Sequence, residues 1–236
     1  MTRIAGGGLS RNPFGATAAH AQEARAAESL QQQVEEELFG KKRKKPPLVD
    51  DDSVEMQGLL ARLSAWKDKL ARFAGDRGSD YRLLLCEGTI AMIDGDGGIL
   101  LGRRFLLSHR EDTPLLVGVL AHEIGHRPAR WNSLKSESPR TKAELQELCR
   151  LEETRADHFA GRALAAFGLS PSSLCAFLLA LEDPKAQGSH DYFPAPLRVE
   201  VISEGHADGQ RKSNARRSLF PELDRHTNPR NDLGSG

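Results

Sequence analysis

Residues 115–127 read LLVGVLAHEIGHR. A run of apolar residues leads directly into His122, Glu123 and His126. On a helix, positions i and i+4 share one face, so the two imidazoles point the same way and can hold one ion. Glu123 lies about 100° further round, close enough to reach a water on that ion without ligating it. A plain pair of surface histidines fits badly after so apolar a run, because imidazoles on a buried helix need partners. The spacing is H-E-x-x-H: two neutral imidazoles for zinc and a carboxylate as general base.

Zinc at a catalytic centre takes a third protein ligand and keeps one position open. Six residues after His126 the chain has Asn132, so a third histidine at that spacing is absent. A glutamate from the next helix is the other common solution. The segment LEETRADHFAG, residues 151–161, places Glu153 and Asp157 four apart and hence on one face. Glu153 is expected to complete the ligand set, with one Zn2+ per chain. Asp157 is expected to accept the second N–H of a ligand histidine and hold its tautomer. Glu152 is the rival ligand but sits on the wrong face to pair with Asp157, and His158 reads as a helix-surface residue.

Working outward, Asp112 or Thr113 caps the metal helix, Pro114 occupies its first turn, and Pro128 limits its extension. Long helices are predicted over 54–74, where Leu59, Leu63, Trp66, Leu70 and Phe73 fall at helical spacing, and over 141–167. Shorter ones follow at 171–182 and 195–205. YRLLLC at 81–86 reads as a strand, and GTIAMIDGDGGILLGRRFLLS as a hairpin around a Gly-rich turn. DGDGG lacks the oxygen-ligand spacing and closing Glu of a calcium loop, so a tight turn is expected.

The expected class is therefore α+β: a mainly helical domain with a small antiparallel sheet or hairpin beside the H-E-x-x-H helix. It should span 54–208. Residues 1–53 would be a flexible extension with one helix, at 21–39, and the charged linker KKRKKPPLVDDD; residues 209–236 would be a disordered tail. The extension is suited to partner docking.

Net charge is zero with 28% charged residues, which gives no global field toward nucleic acid. The basic run at 41–45 has no aromatic partners and an acidic run beside it, so it reads as solvated linker. The opening MTRIAGGGLSRNPFG lacks the apolar centre of a signal peptide, and the apolar run Leu174–Leu181 is far short of the roughly 20 residues that span a bilayer. Cys86, Cys149 and Cys175 are odd in number and widely spaced, which suits buried thiols in a reducing compartment. A cytoplasmic location without a membrane span is expected, export without a cleaved signal being the alternative.

HEIGH followed by E-x-x-x-D in EETRADHFAG resembles the HtpX-like and CAAX-prenyl-protease-like (Oma-type) gluzincin zinc metallopeptidases. The hairpin segment resembles that family's active-site edge, and YFPAPLRVEVISEG at 192–205 resembles its late H-P-x-x-x-x-R segment. The resemblance covers about 80–206. Two departures stand out. Only 26 residues separate His126 from Glu153, as in compact soluble gluzincins of the ImmA/IrrE type. Tyr192 also stands where the family has a histidine, while Arg198 is retained six residues later.

The resemblance implies peptide hydrolysis, with Glu123 as base and Tyr192 or Arg198 at the developing oxyanion or as anchors of the last helix. The strand around Ile99–Arg103 would hold a protein or peptide substrate as an added edge strand. A non-catalytic zinc-binding module and a secreted effector carrying a peptidase domain are the alternatives.

Overall fold

The computed structural model describes residues 45–127, 141–181 and 193–219. These are mainly helical with one small sheet. The expectations for the helix at 21–39 and for the chain beyond 219 lie outside the described residues, whereas 209–219, expected as part of a disordered tail, is helical.

Helix α1 (Val54–Ala74) starts on Ser53, whose hydroxyl accepts the Met56 N–H at 3.3 Å. It ends on Gly75 at φ 83°, a left-handed conformation that a side chain would strain. Met56, Leu59, Leu63 and Leu70 form its buried stripe.

Strands β1 (Arg82–Cys86), β2 (Ala91–Ile93) and β3 (Gly98–Gly102) follow, arranged in the order β1-β3-β2. The β2–β3 hairpin is antiparallel, as expected, with Ala91 opposite Leu101. β1, however, runs parallel to β3, with Arg82 opposite Gly98, so the sheet is mixed rather than antiparallel. The hairpin turn is tight: the Asp94 carboxylate accepts the N–H groups of Asp96 and Gly98 at 3.0 and 2.7 Å.

Two sequence expectations change here. The Ile99–Arg103 stretch is the central strand, paired on both sides and buried throughout Gly98–Gly102, so it cannot receive a substrate strand. Arg103 instead opens the short helix α2 (Arg103–Ser108). The domain also begins earlier than residue 54. Val49 N–H donates to Leu85 O at 3.0 Å and Glu87 N–H to Pro47 O at 3.1 Å, covering the outer edge of β1. Lys45 pairs with Asp94 at 2.9 Å, and Arg103 donates to Asp51 at 2.7 Å.

Helix α3 (Thr113–His126) is capped by Asp112, which accepts the Leu115 N–H at 3.0 Å, with Pro114 in the first turn. Helix α4 (Lys142–Ala166) opens on a reciprocal cap between Thr141 and Glu144. It packs on α3 on one side and α6 on the other. A Cβ at Gly125 would lie 2.9 Å from Ala156 Cα, so the α3–α4 approach requires glycine there.

Helix α5 (Ser172–Leu181) lies across α3, and α6 runs Ala195–Leu219, far beyond the short helix expected at 195–205. Gly205 and Gly209 are buried contact points in the middle of α6. A Cβ at Gly205 would meet His158 O at 2.2 Å. The close α4–α6 packing, rather than local propensity, carries the helix past both glycines.

Candidate metal centre

The Gly125–Ala156 approach sets the last turn of α3 against the middle of α4. His122 and His126 thereby face Glu153. His122 Nε2 is 3.2 Å from Glu153 Oε2, and His126 Nε2 is 3.7 Å from Glu153 Oε1. Three possible ligand atoms, one from each residue, all lie within 4.8 Å of one another. The two imidazole rings are nearly perpendicular at 87°.

Behind this cluster, His122 Nδ1 comes within 2.9 Å of Asp157 Oδ1, although not along a good N–H direction. Arg198, from α6, grips the same carboxylate with both arms of its fork: Nε to Oδ2 at 2.7 Å and Nη2 to Oδ1 at 2.9 Å. The order is thus Arg198, Asp157, His122. Arg198 Nη2 is also 3.9 Å from Glu153 Oε2. The described geometry ties this guanidinium to the carboxylate beside His122 and so fastens α6 to α4, the anchoring alternative of the two expected for it.

Tyr192 lies outside the described residues. Glu152 is buried but turned away, bonded to Arg155 at 2.6 Å, and His158 pairs with Asp208 at 3.2 Å. Neither belongs to the metal-ligand group.

The electrostatics suit a cation. Burial pulls the His122 imidazole down, but Asp157 and Glu153 outweigh it and push it up to about 10. The two carboxylates that favour positive charge on this ring would favour a cation bound beside it as well. Burial draws His126 down to about 4, leaving a neutral ligand at pH 7. Burial also opposes ionisation of Glu153 and Asp157, yet the neighbouring histidines and Arg198 hold both below the usual carboxylate range.

Glu153 Oε2 and His126 Nδ1 are buried with no hydrogen-bond partner among the described residues. Two imidazoles and a carboxylate with an orphaned buried oxygen form a group that could hold a metal ion.

Glu123 stands beside the cluster. Burial is the largest influence on it and pushes its carboxyl up to about 7, while the Ile93 N–H, at the end of β2, bonds it and favours the ionised form. No local pattern in the sequence signals this link between the hairpin and α3.

A cleft of about 200 Å³ opens over His122 and Glu123, walled by Ala91 of β2 and by Leu174, Phe177 and Leu178 of α5. The apolar wall was visible in sequence only as the apolar run of α5. Comparison with family models, with curated proteins and with solved structures gave no match.

Proposed function

We propose that the chain is a zinc-dependent endopeptidase of the HtpX-like gluzincin type. The observation that carries this reading is the convergence of His122, His126 and Glu153, with the buried Glu123 carboxylate beside them at the floor of an open cleft.

His122, His126 and Glu153 would hold the metal, and Asp157 with Arg198 fixes the His122 ring. Bound zinc would supply Lewis acidity, lowering the pKa of a water to about 7 and polarising the scissile carbonyl. Glu123 takes the proton of the attacking water and returns it to the leaving amine. An affinity for protons near neutrality suits both halves of that task, and the Ile93 N–H keeps the carboxylate aimed.

The substrate edge is β2, not the strand around Ile99–Arg103. Gly102 N–H bonds Ile90 O and Asp94 N–H bonds Gly98 O, so by alternation Ala91 turns its N–H and C=O away from β3. Ala91 also lines the cleft, where an extended peptide would add as a further strand.

Glu123→Gln tests the reading. Zinc content should stay at one per chain while hydrolysis of an unstructured protein such as casein falls by about 10²–10⁴. Stoichiometric zinc without hydrolysis by the unsubstituted chain would instead leave a zinc-binding module. Among the described residues no helix is long and apolar enough to cross a membrane.

A further inference from the structure

Among the described residues a larger cavity, of about 530 Å³, lies on the far side of α4 from the His122–His126–Glu153 cluster. It falls within the range of about 300–1,000 Å³ typical of small-molecule sites. Arg155, His158 and Arg162 line it from one stripe of α4, at i, i+3 and i+7, while Glu153 and Asp157 occupy another face of that helix. Arg127, the residue after His126, adds a third guanidinium from the end of α3. Phe73 and Phe159, with ring centroids 5.5 Å apart, form an apolar side.

Glu204 is the lone carboxylate lining the cavity. The acids that partner the other cations are not among the residues lining it: Asp76 bonds Arg127 at 2.6 Å, Glu152 bonds Arg155 at 2.6 Å, and Asp208 lies 3.2 Å from His158. Arg162 differs. It lies over the Phe73 ring at 5.8 Å, has no carboxylate partner among the described residues, and its Nε is buried without a hydrogen-bond acceptor. A guanidinium with no carboxylate partner keeps its outer N–H donors for an anionic oxygen.

We propose that this cavity binds a small organic phosphate, its phosphate oxygens taken by Arg162, Arg155 and Arg127 and its flat apolar part set against Phe73 and Phe159. Several guanidinium forks around one cavity suit a doubly charged group with three acceptor oxygens better than a single carboxylate. The site is separate from the hydrolytic cleft and does not depend on the peptidase reading.

Calorimetric titration of the full chain with phenyl phosphate, at constant ionic strength, tests it, with inorganic phosphate and benzoate as comparison probes. Saturable 1:1 binding is expected, tighter for phenyl phosphate than for either comparison probe. Arg162→Gln should weaken it at least about tenfold. Glu204→Gln, a change at an exposed position, should tighten it, a gain that misfolding cannot mimic. Absence of saturable binding by the unsubstituted chain overturns the proposal. So does a folded Arg162→Gln protein that binds as well as its parent. If that variant fails to fold, unchanged affinity in Glu204→Gln overturns it.

Discussion

Glu152 and Glu153 are adjacent carboxylates, both nearly inaccessible, with different partners. Glu152 bonds Arg155, while Glu153 faces the two histidine Nε2 atoms. Glu153→Ala should therefore abolish stoichiometric zinc, whereas Glu152→Ala should keep the metal. Inductively coupled plasma measurements on the two proteins decide this, and equal zinc in both would remove Glu153 from the ligand set. One step out, Asp157 is shared by His122 and Arg198. Asp157→Asn should weaken zinc affinity by about 10–100-fold, and Arg198→Lys, which loses the two-armed grip, should move it in the same direction by less. If Arg198 acted on the oxyanion instead, Arg198→Lys would lower kcat with zinc affinity unchanged.

At the scale of elements, the placement of His122 and His126 depends on how closely α3 can lie on α4. Gly125→Ala puts a methyl 2.9 Å from Ala156 Cα, a backbone atom that cannot step aside. The helices must separate, at a cost of about 1–3 kcal/mol, and His126 moves off Glu153. Zinc affinity should fall by more than Tm alone would suggest; a chelator competition series on the variant and its parent measures it. The hairpin acts similarly on Glu123. Asp94 anchors the turn that follows Ile93, whose N–H bonds Glu123. Burial raises the Asp94 carboxyl, but Lys45 and the Gly98 and Asp96 N–H groups outweigh burial and hold it below its ordinary value. Its contribution is thus complete above the unfolded carboxylate pKa of about 4 and is lost as pH falls through the lower folded value. Asp94→Asn should lower Tm at pH 7 and narrow that gap in acid. Helices α1, α3, α4 and α5, the strand at Arg82–Cys86 and the hairpin were legible because periodicity, caps and the DGDGG turn are local signals. So was the cluster of His122, Glu123, His126, Glu153 and Asp157, because i, i+4 spacing is geometry. Strand order was not, since nothing local distinguishes a parallel from an antiparallel partner for β1. The length of α6 was also hidden, because Gly205 and Gly209 lower its local helix propensity and the contact with α4 that offsets this is not a local signal.

For the whole molecule, the question is where the folded unit begins. Amphipathic periodicity starts at residue 54, which on sequence alone puts the start of the domain there. The structure instead sets residues 45–49 along β1, with two backbone hydrogen bonds and an antiparallel bridge between Leu48 and Cys86. A chain starting at Lys45 keeps every contact described here. One starting at Asp52 loses the backbone bonds, the Lys45–Asp94 pair and the Asp51–Arg103 pair, and bares the outer edge of β1. The two ion pairs are partly exposed and add little; the backbone bonds at about 1 kcal/mol each dominate. The shorter chain should be destabilised by about 2–3 kcal/mol, a Tm lower by roughly 5–10 °C for a domain of this size. It should also associate more readily, since an uncovered strand edge is a template for pairing. Its zinc stoichiometry should hold below the transition, because none of the lost contacts touches His122, His126 or Glu153. Thermal unfolding and sedimentation of the two chains give the answer. Identical Tm values would show that residues 45–51 only lie against β1 and that the unit begins with α1.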